Sequence, residues 1–281
     1  MKNKFIYLSL FILLLSGCAA THPVTKLDNQ VIDKDTRWQG NIFIRGLVTV
    51  KKGALLEIEP GTRIFFEPLD NDGDGIGDGE LLIEGSLYAV GTEQQPILLT
   101  SGAKNPRPRD WKFLYLDFAQ DVEIAHLISE YAYSGVQIHF CRAKVTASEF
   151  RYNVDGVRFS TVNIDLTLNN IHHNQHGIRY EERQGSGWVH HNRISENQVG
   201  IFAVTKSDDR TLFEKNNIEN NREYQIKLGI EQKENLSFPR NWWGELTDQQ
   251  LAEQIFDRHF DPNLGQVTTP LRLKEPVQLS L

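Results

Sequence analysis

The sequence predicts an all-β fold, a right-handed parallel β-helix of three-strand coils closed by a C-terminal capping helix. Three observations predict it. Gly135-Val136-Gln137-Ile138, Gly156-Val157-Arg158-Phe159, Gly177-Ile178-Arg179-Tyr180 and Gly200-Ile201-Phe202-Ala203 align, with their glycines 21, 21 and 23 residues apart. Asn153, Asn174 and Asn197 precede the last three glycines at one offset, and Asn170, Asn192 and Asn217 repeat in a second phase. The rest of the chain is made of short apolar runs broken by Gly, Pro and Asn. A period of 21–23 is too short for helical repeat units, and the leucine-rich framework is missing. Three short strands per coil fit instead, with coils stacked about 4.8 Å apart. Gly and Asn tolerate left-handed corners, and asparagines stacked on asparagines form an amide ladder. Each coil touches only its neighbours, so the ends need caps.

The elements follow in order. Lys2 and Lys4 precede an eleven-residue apolar run, Phe5 to Leu15. That run is too short to span a bilayer comfortably and reads as a secretory signal over residues 1–17. Leu15-Ser16-Gly17-Cys18 resembles the bacterial lipobox, which implies cleavage before Cys18 and a diacylglyceryl thioether on its sulfur. With an added N-acyl chain, this gives stable membrane anchoring. In lipoprotein families an Asp after the cysteine marks inner-membrane retention; Ala19 stands there, which favours the outer membrane. Residues 18–37 read as a tether and 38–244 as the β-helix. Its first coils are drawn from Ile42-Phe43-Ile44, Val48-Thr49-Val50, Leu55–Ile58, Arg63–Phe66, Leu81–Ile83, Leu87–Val90 and Ile97–Leu99, runs of strand character between turn residues. Residues 245–281 read as a cap: Thr247-Asp248-Gln249-Gln250 has capping-box form. Beyond it Leu251, Ala252, Ile255, Phe256 and Phe260 recur at helical spacing. Cys141, in the run Ile138-His139-Phe140-Cys141, reads as a small buried hydrophobe without a disulfide partner.

The formal charge of −7 becomes −9 once Lys2 and Lys4 leave with the signal, which argues against nucleic acid as a partner. No nucleophile elbow, phosphate loop or dinucleotide fingerprint occurs.

Val48-Thr49-Val50, Gly53-Ala54-Leu55-Leu56-Glu57-Ile58-Glu59-Pro60-Gly61-Thr62 and Asn241-Trp242-Trp243-Gly244 resemble the opening and closing motifs of right-handed parallel β-helix repeat proteins of the pectate-lyase-like superfold. The resemblance covers about residues 38 to 270. It implies the fold. It says little of activity, since that superfold hosts lyases, hydrolases, epimerases, adhesins and proteins without known activity. As part of a closing motif, Trp242 and Trp243 are expected to pack rather than to stack on sugar.

Three constellations bear on chemistry. Asp70-Asn71-Asp72-Gly73-Asp74-Gly75-Ile76-Gly77-Asp78 matches the start of a calcium loop. Asp70, Asp72, Asp74, the Ile76 carbonyl and Asp78 are its candidate ligands, and a structural Ca²⁺ is expected to order the repelling carboxylates. The twelfth position is Leu81 rather than Glu, and Glu80 comes one residue early, so this is no EF-hand. Second, alternation along each repeat strand turns Gln137, Arg158, Arg179 and Phe202 outward in one stripe, with His139, Ser160, Glu181 and Val204 beside it. Gln137, His139, Arg158, Arg179, Glu181 and Phe202 are the candidate ligand-binding residues. Two guanidiniums one coil apart suit a sugar carboxylate. In polysaccharide lyases of the superfold an Arg or Lys on such a face acts as base, so Arg158, Arg179, Glu181 and Asp155 are the catalytic candidates. Third, His172, His173, His176, His190 and His191 cluster within twenty residues, and some β-helix proteins are periplasmic copper binders. Shifting His172 and His173 by the local period lands on Ser195 and Glu196, so the two histidine pairs are not expected to share one ion.

The reading favoured by the absence of a compact catalytic set is a non-catalytic envelope lipoprotein. It would be anchored in a membrane through Cys18 and bind glycan or envelope protein with its rod. A polysaccharide lyase, hydrolase or epimerase acting on acidic glycans is the first alternative, and a periplasmic metal-binding protein the second.

Overall fold

The computed structural model describes residues 24–181 and 185–279. Cys18 and the signal segment lie outside them. Among the described residues the strands recur in a fixed order and stack into three parallel sheets, of nine (sheet A), ten (sheet B) and eight strands (sheet C). Each coil contributes one strand to A, then B, then C, and among the described residues neighbouring coils of these sheets pair in parallel, as between Asp155–Ser160 and His176–Glu181.

The core explains the sequence pattern. Val136, Ile138, Val157, Phe159, Ile178, Tyr180, Ile201 and Ala203 are all buried. They stack in register from coil to coil. A strand with one face on this core and the other outward needs the two-residue alternation that the repeat carries. Trp243 and Trp242 are buried in the last coil, as packing residues.

Two asparagine ladders run along the corners. At the A-to-B corner the backbone N–H of Asn153 donates to Oδ1 of Asn174, Asn174 to Asn197, and Asn197 to Asn221. At the C-to-A corner Asn169, Asn192, Asn216 and Asn241 form the same chain. In the pairs Asn169-Asn170 and Asn216-Asn217 the ladder residue is therefore the first, one position earlier than the sequence suggests.

The corner chemistry also differs from expectation. The left-handed residue is the one before each ladder asparagine, and it is Tyr152, His173, Glu196, Asn220, Leu168, His191, Lys215 or Arg240. The repeat glycines serve close approach instead. A Cβ on Gly156 would stand 2.7 Å from the Gly177 carbonyl oxygen and 2.9 Å from Asn174 Nδ2. Left-handed backbone at a side-chain-bearing residue costs about 1–2 kcal/mol. The neighbouring ladder amides offset this by satisfying buried backbone groups.

Two boundaries move. The segment 25–37, read as tether, already forms the first coil, with strands Thr25–Asp28, Val31–Ile32 and Thr36–Trp38. The cap helix spans Asp248–Glu253, with Thr247 as N-cap in a full capping box. It is shorter than the apolar spacing suggests, because Ile255–Phe256 leave it to extend sheet B beside Ile226 and Lys227. That pairing covers the end of the sheet, where an open edge invites association.

Candidate metal centre

The corner rule positions histidines. His172 ends the sheet A strand Asn170–His172, His173 follows in left-handed conformation, and Asn174 turns inward to the ladder. The turn aims both imidazoles outward at one point, with Nδ1 of His172 and Nδ1 of His173 2.6 Å apart. In the next coil Glu196 occupies the left-handed position equivalent to His173. Its carboxylate lies 3.2 Å from His173 Nε2. His172, His173 and Glu196 thus offer ligand atoms that all fall within 4.8 Å of one another. From the coil before, Glu149 Oε1 sits 2.8 Å from His172 Nε2. The hydrogen bond from His172, together with Arg151, holds the Glu149 carboxyl below its ordinary range. A carboxylate on the far nitrogen fixes the tautomer and leaves Nδ1 as the donor atom. His173 also rests against Tyr152, which stacks on Tyr131 in the same corner column.

His190 and His191 stand at the other corner, after the sheet C strand Ser186–His190. The two pairs do not meet, in keeping with the offset of their registers. The third group at the first corner is a carboxylate, Glu196. The 23-residue shift from His173 lands on that residue, though residue type alone does not mark it as a ligand.

The outward stripe of sheet B assembles in register. Gln137 lies beside Arg158, Arg158 beside Arg179, and Arg179 beside Phe202. His139 accepts or donates at 3.1 Å with the Tyr115 hydroxyl. Burial, then the charge of Arg158, pulls the His139 pKa down to about 4. Glu181 stands on the same strand as Arg179 and has its own partner. Sequence reasoning gave His176 no place here. It binds the fully buried Asp155 through Nδ1 at 2.7 Å and stacks on Phe202. Asp155 Oδ2 lies 3.7 Å from Arg179 Nη1. Asp155 Oδ2, Gln137 Oε1 and Arg179 Nε have no hydrogen-bond partner among the described residues.

Cys141 is a free, buried thiol, and burial pushes its pKa up to about 12. That is the behaviour of a packing residue rather than a nucleophile.

The acidic loop satisfies itself. Asp70 accepts from the backbone N–H groups of Gly73 and Gly75, Asp72 from Asp74, and Asp74 from Ile76. Asp78 accepts from the Asn71 backbone and side chain, and Lys112 Nζ stands 3.6 Å from it and 3.9 Å from Asp72. Asp70, Asp72 and Asp74 gather within one ion's reach, but all three are exposed and Asp78 is not of the group. No helix of the described residues is long and apolar enough to cross a membrane.

Residues 76–242, more than half of the chain, match the family described as "Periplasmic copper-binding protein (NosD)". No curated protein and no solved structure matches the chain. The family's cation is copper, and this overturns the expectation of structural calcium at Asp70, Asp72, Asp74, Ile76 and Asp78. Backbone amides and Lys112 already meet the charge that calcium was invoked to balance. A periplasmic family also fits a location in the cell envelope. The parallel coils and the match over most of them agree, and the chain belongs to the NosD family of periplasmic copper-binding proteins.

Proposed function

We propose that this chain is a copper-binding protein of the cell envelope that holds its ion between His172, His173 and Glu196. The observation that carries the reading is the convergence of two imidazoles and a carboxylate within 4.8 Å, in a chain of a copper-binding family. The donor set fits. Imidazole suits copper, and Cu²⁺ leads the divalent first-row ions in affinity for such sites. Metal–nitrogen bonds of about 2.0–2.1 Å need the two Nδ1 atoms farther apart than 2.6 Å, so the rings open as an ion enters. The test is electron paramagnetic resonance of the protein loaded with one equivalent of cupric ion. Nitrogen hyperfine lines should appear and be lost in H172A/H173A. An unchanged spectrum in that variant would overturn the assignment.

The anchor belongs to the same proposal. Leu15-Ser16-Gly17-Cys18 supports a lipid on Cys18, and Ala19 supports the outer membrane. Six residues separate Cys18 from the first strand at Thr25, so the tether is short and the rod stands close to the bilayer. Cys18→Ser should move the protein from the membrane fraction to the soluble periplasm. Retention in the membrane would sink the anchor.

A second reading rests on the sheet B face. The outward stripe of that face sets Arg158 and Arg179 side by side with Phe202 next to them. An acidic sugar would place its carboxylate on Arg158 and Arg179 and its ring on Phe202. Titration with oligogalacturonates should give binding that R158A/R179A abolishes. A product absorbing in the ultraviolet would mark a lyase rather than a binding face.

A further inference from the structure

We propose that His190 and His191 form a second copper site, one that takes the monovalent ion. The proposal rests on the reading of the first corner for the identity of the metal, and on its own geometry for everything else.

The second corner repeats the construction of the first. His190 ends a strand, His191 is left-handed with φ 54°, and Asn192 turns into a ladder. At the first corner His173 has φ 55°. The Nδ1 atoms of His190 and His191 face each other at 2.7 Å, against 2.6 Å in the first pair. A carboxylate from the preceding coil again holds the far nitrogen: Asp165 Oδ1 lies 3.1 Å from His190 Nε2. In each pair a carboxylate from behind thus orients one ring, His172 or His190, with its Nδ1 turned to the second ring. The two corners sit at opposite ends of one short strand, Arg193–Ser195, since His191 precedes it and Glu196 follows it. At about 3.3 Å per residue they are separate sites.

The surroundings differ in a way that selects charge. The first corner has Glu196 as a third donor. At the second, Asp165 is spent on Nε2. The left-handed position of the next coil is Lys215, a cationic residue where the first corner has Glu196. Glu214, beside His190 in the next coil, is taken up by Trp188 and Arg240, which leaves the Thr167 hydroxyl, 3.4 Å from His190 Nδ1. Cupric ion wants a tetragonal set of donors, whereas a filled-shell cuprous ion is content with two imidazoles and carries half the charge. Trp188 covers the site. Its ring stacks on His190 at 3.7 Å and its Nε1–H donates to Glu214. An indole face over a bound cation adds cation–π attraction.

Trp188 also makes the site readable. The chain would be loaded anaerobically with a cuprous acetonitrile salt and desalted, with copper counted by mass spectrometry and tryptophan emission recorded. Wild type should hold two ions per chain and lose emission on loading. H190A/H191A should hold one ion and show no loss. H172A/H173A should hold one and keep the loss, and W188F should hold two without it. His190→Gln/His191→Asn, with an Asn that tolerates the left-handed corner, should behave as H190A/H191A and guards against a folding defect. Two ions, or a retained emission loss, in the His190/His191 variants would overturn the second site. If H172A/H173A keeps all its copper while H190A/H191A loses it, the first corner is refuted and the second stands. In H172A/H173A the cuprous ion should bind at least about tenfold more tightly than the cupric; equal or tighter cupric binding would overturn the choice of charge.

Discussion

Two regions of this molecule gather groups that a cation could use, and they do so in opposite ways. The loop at Asp70–Asp78 packs its carboxylates into one short stretch of sequence, and their oxygens are taken up by the loop's own amides and by Lys112. At the corner of His172 and His173, the third donor comes from 23 residues away, and a fourth group, Glu149, orients the pair from 23 residues on the other side. Density of acidic residues along the chain therefore marks a self-satisfied turn, while convergence across coils marks the candidate site. In a solenoid the coil period, not sequence proximity, decides which side chains meet.

The comparison can be broken or sharpened at several points. The largest effect is expected from Asn174→Ala. Asn174 Nδ2 donates to the carbonyls of Phe150 and His172, and its Oδ1 accepts from Asn153 N. Stranding these buried groups should cost about 2–4 kcal/mol, measured by denaturant unfolding. A cost below about 0.5 kcal/mol would mean that the ladder does not hold the corner.

Glu80, which closes the acidic loop, should reveal itself through pH. Burial raises its pKa to about 7, against the opposing charge of Lys112. The folded state then binds more protons than the unfolded between the ordinary carboxylate range and pH 7. Stability therefore falls as pH rises through that window. Glu80→Gln should gain about 1–3 kcal/mol over wild type at pH 8 and little at pH 5. A pH-independent difference would contradict the assignment. His139 carries the opposite sign. Its pKa near 4 lies below the unfolded value, so it costs stability as pH falls from about 6.5, and His139→Gln should flatten that acid limb.

Glu149→Gln leaves both metal donors in place and removes the charge behind His172. Copper affinity should fall about tenfold, read by competition with a chelator. An unaltered affinity would make Glu149 a bystander. The smallest effect belongs to the loop: D70N/D72N/D74N should leave copper affinity unchanged and shift stability by about 0.5 kcal/mol or less.

The sequence carried the coil period, the inward stacks Val136–Val157–Ile178–Ile201 and the outward stripe of Arg158 and Arg179, because two-residue alternation and a fixed repeat translate directly into faces and neighbours. It also carried the neighbour of His173, since the 23-residue shift lands on Glu196. The role of Glu196 was hidden because a ligand search by residue type counts histidines and passes over a lone carboxylate. His176 with Asp155 was hidden for a related reason. Asp155 stands out in the sequence as a carboxylate near the arginine stripe, but its complete burial and its contact with His176 are properties of packing. The first coil at Thr25–Trp38 escaped because its strands are two to four residues long and its polar composition resembles a linker.

The most direct test of the contrast between loop and corner is a copper-soaked crystal with anomalous data collected at the copper edge. A peak between His172 Nδ1, His173 Nδ1 and the Glu196 carboxylate, with none at Asp70, Asp72 and Asp74, is the predicted result. A peak in the acidic loop and none at the corner would contradict the account.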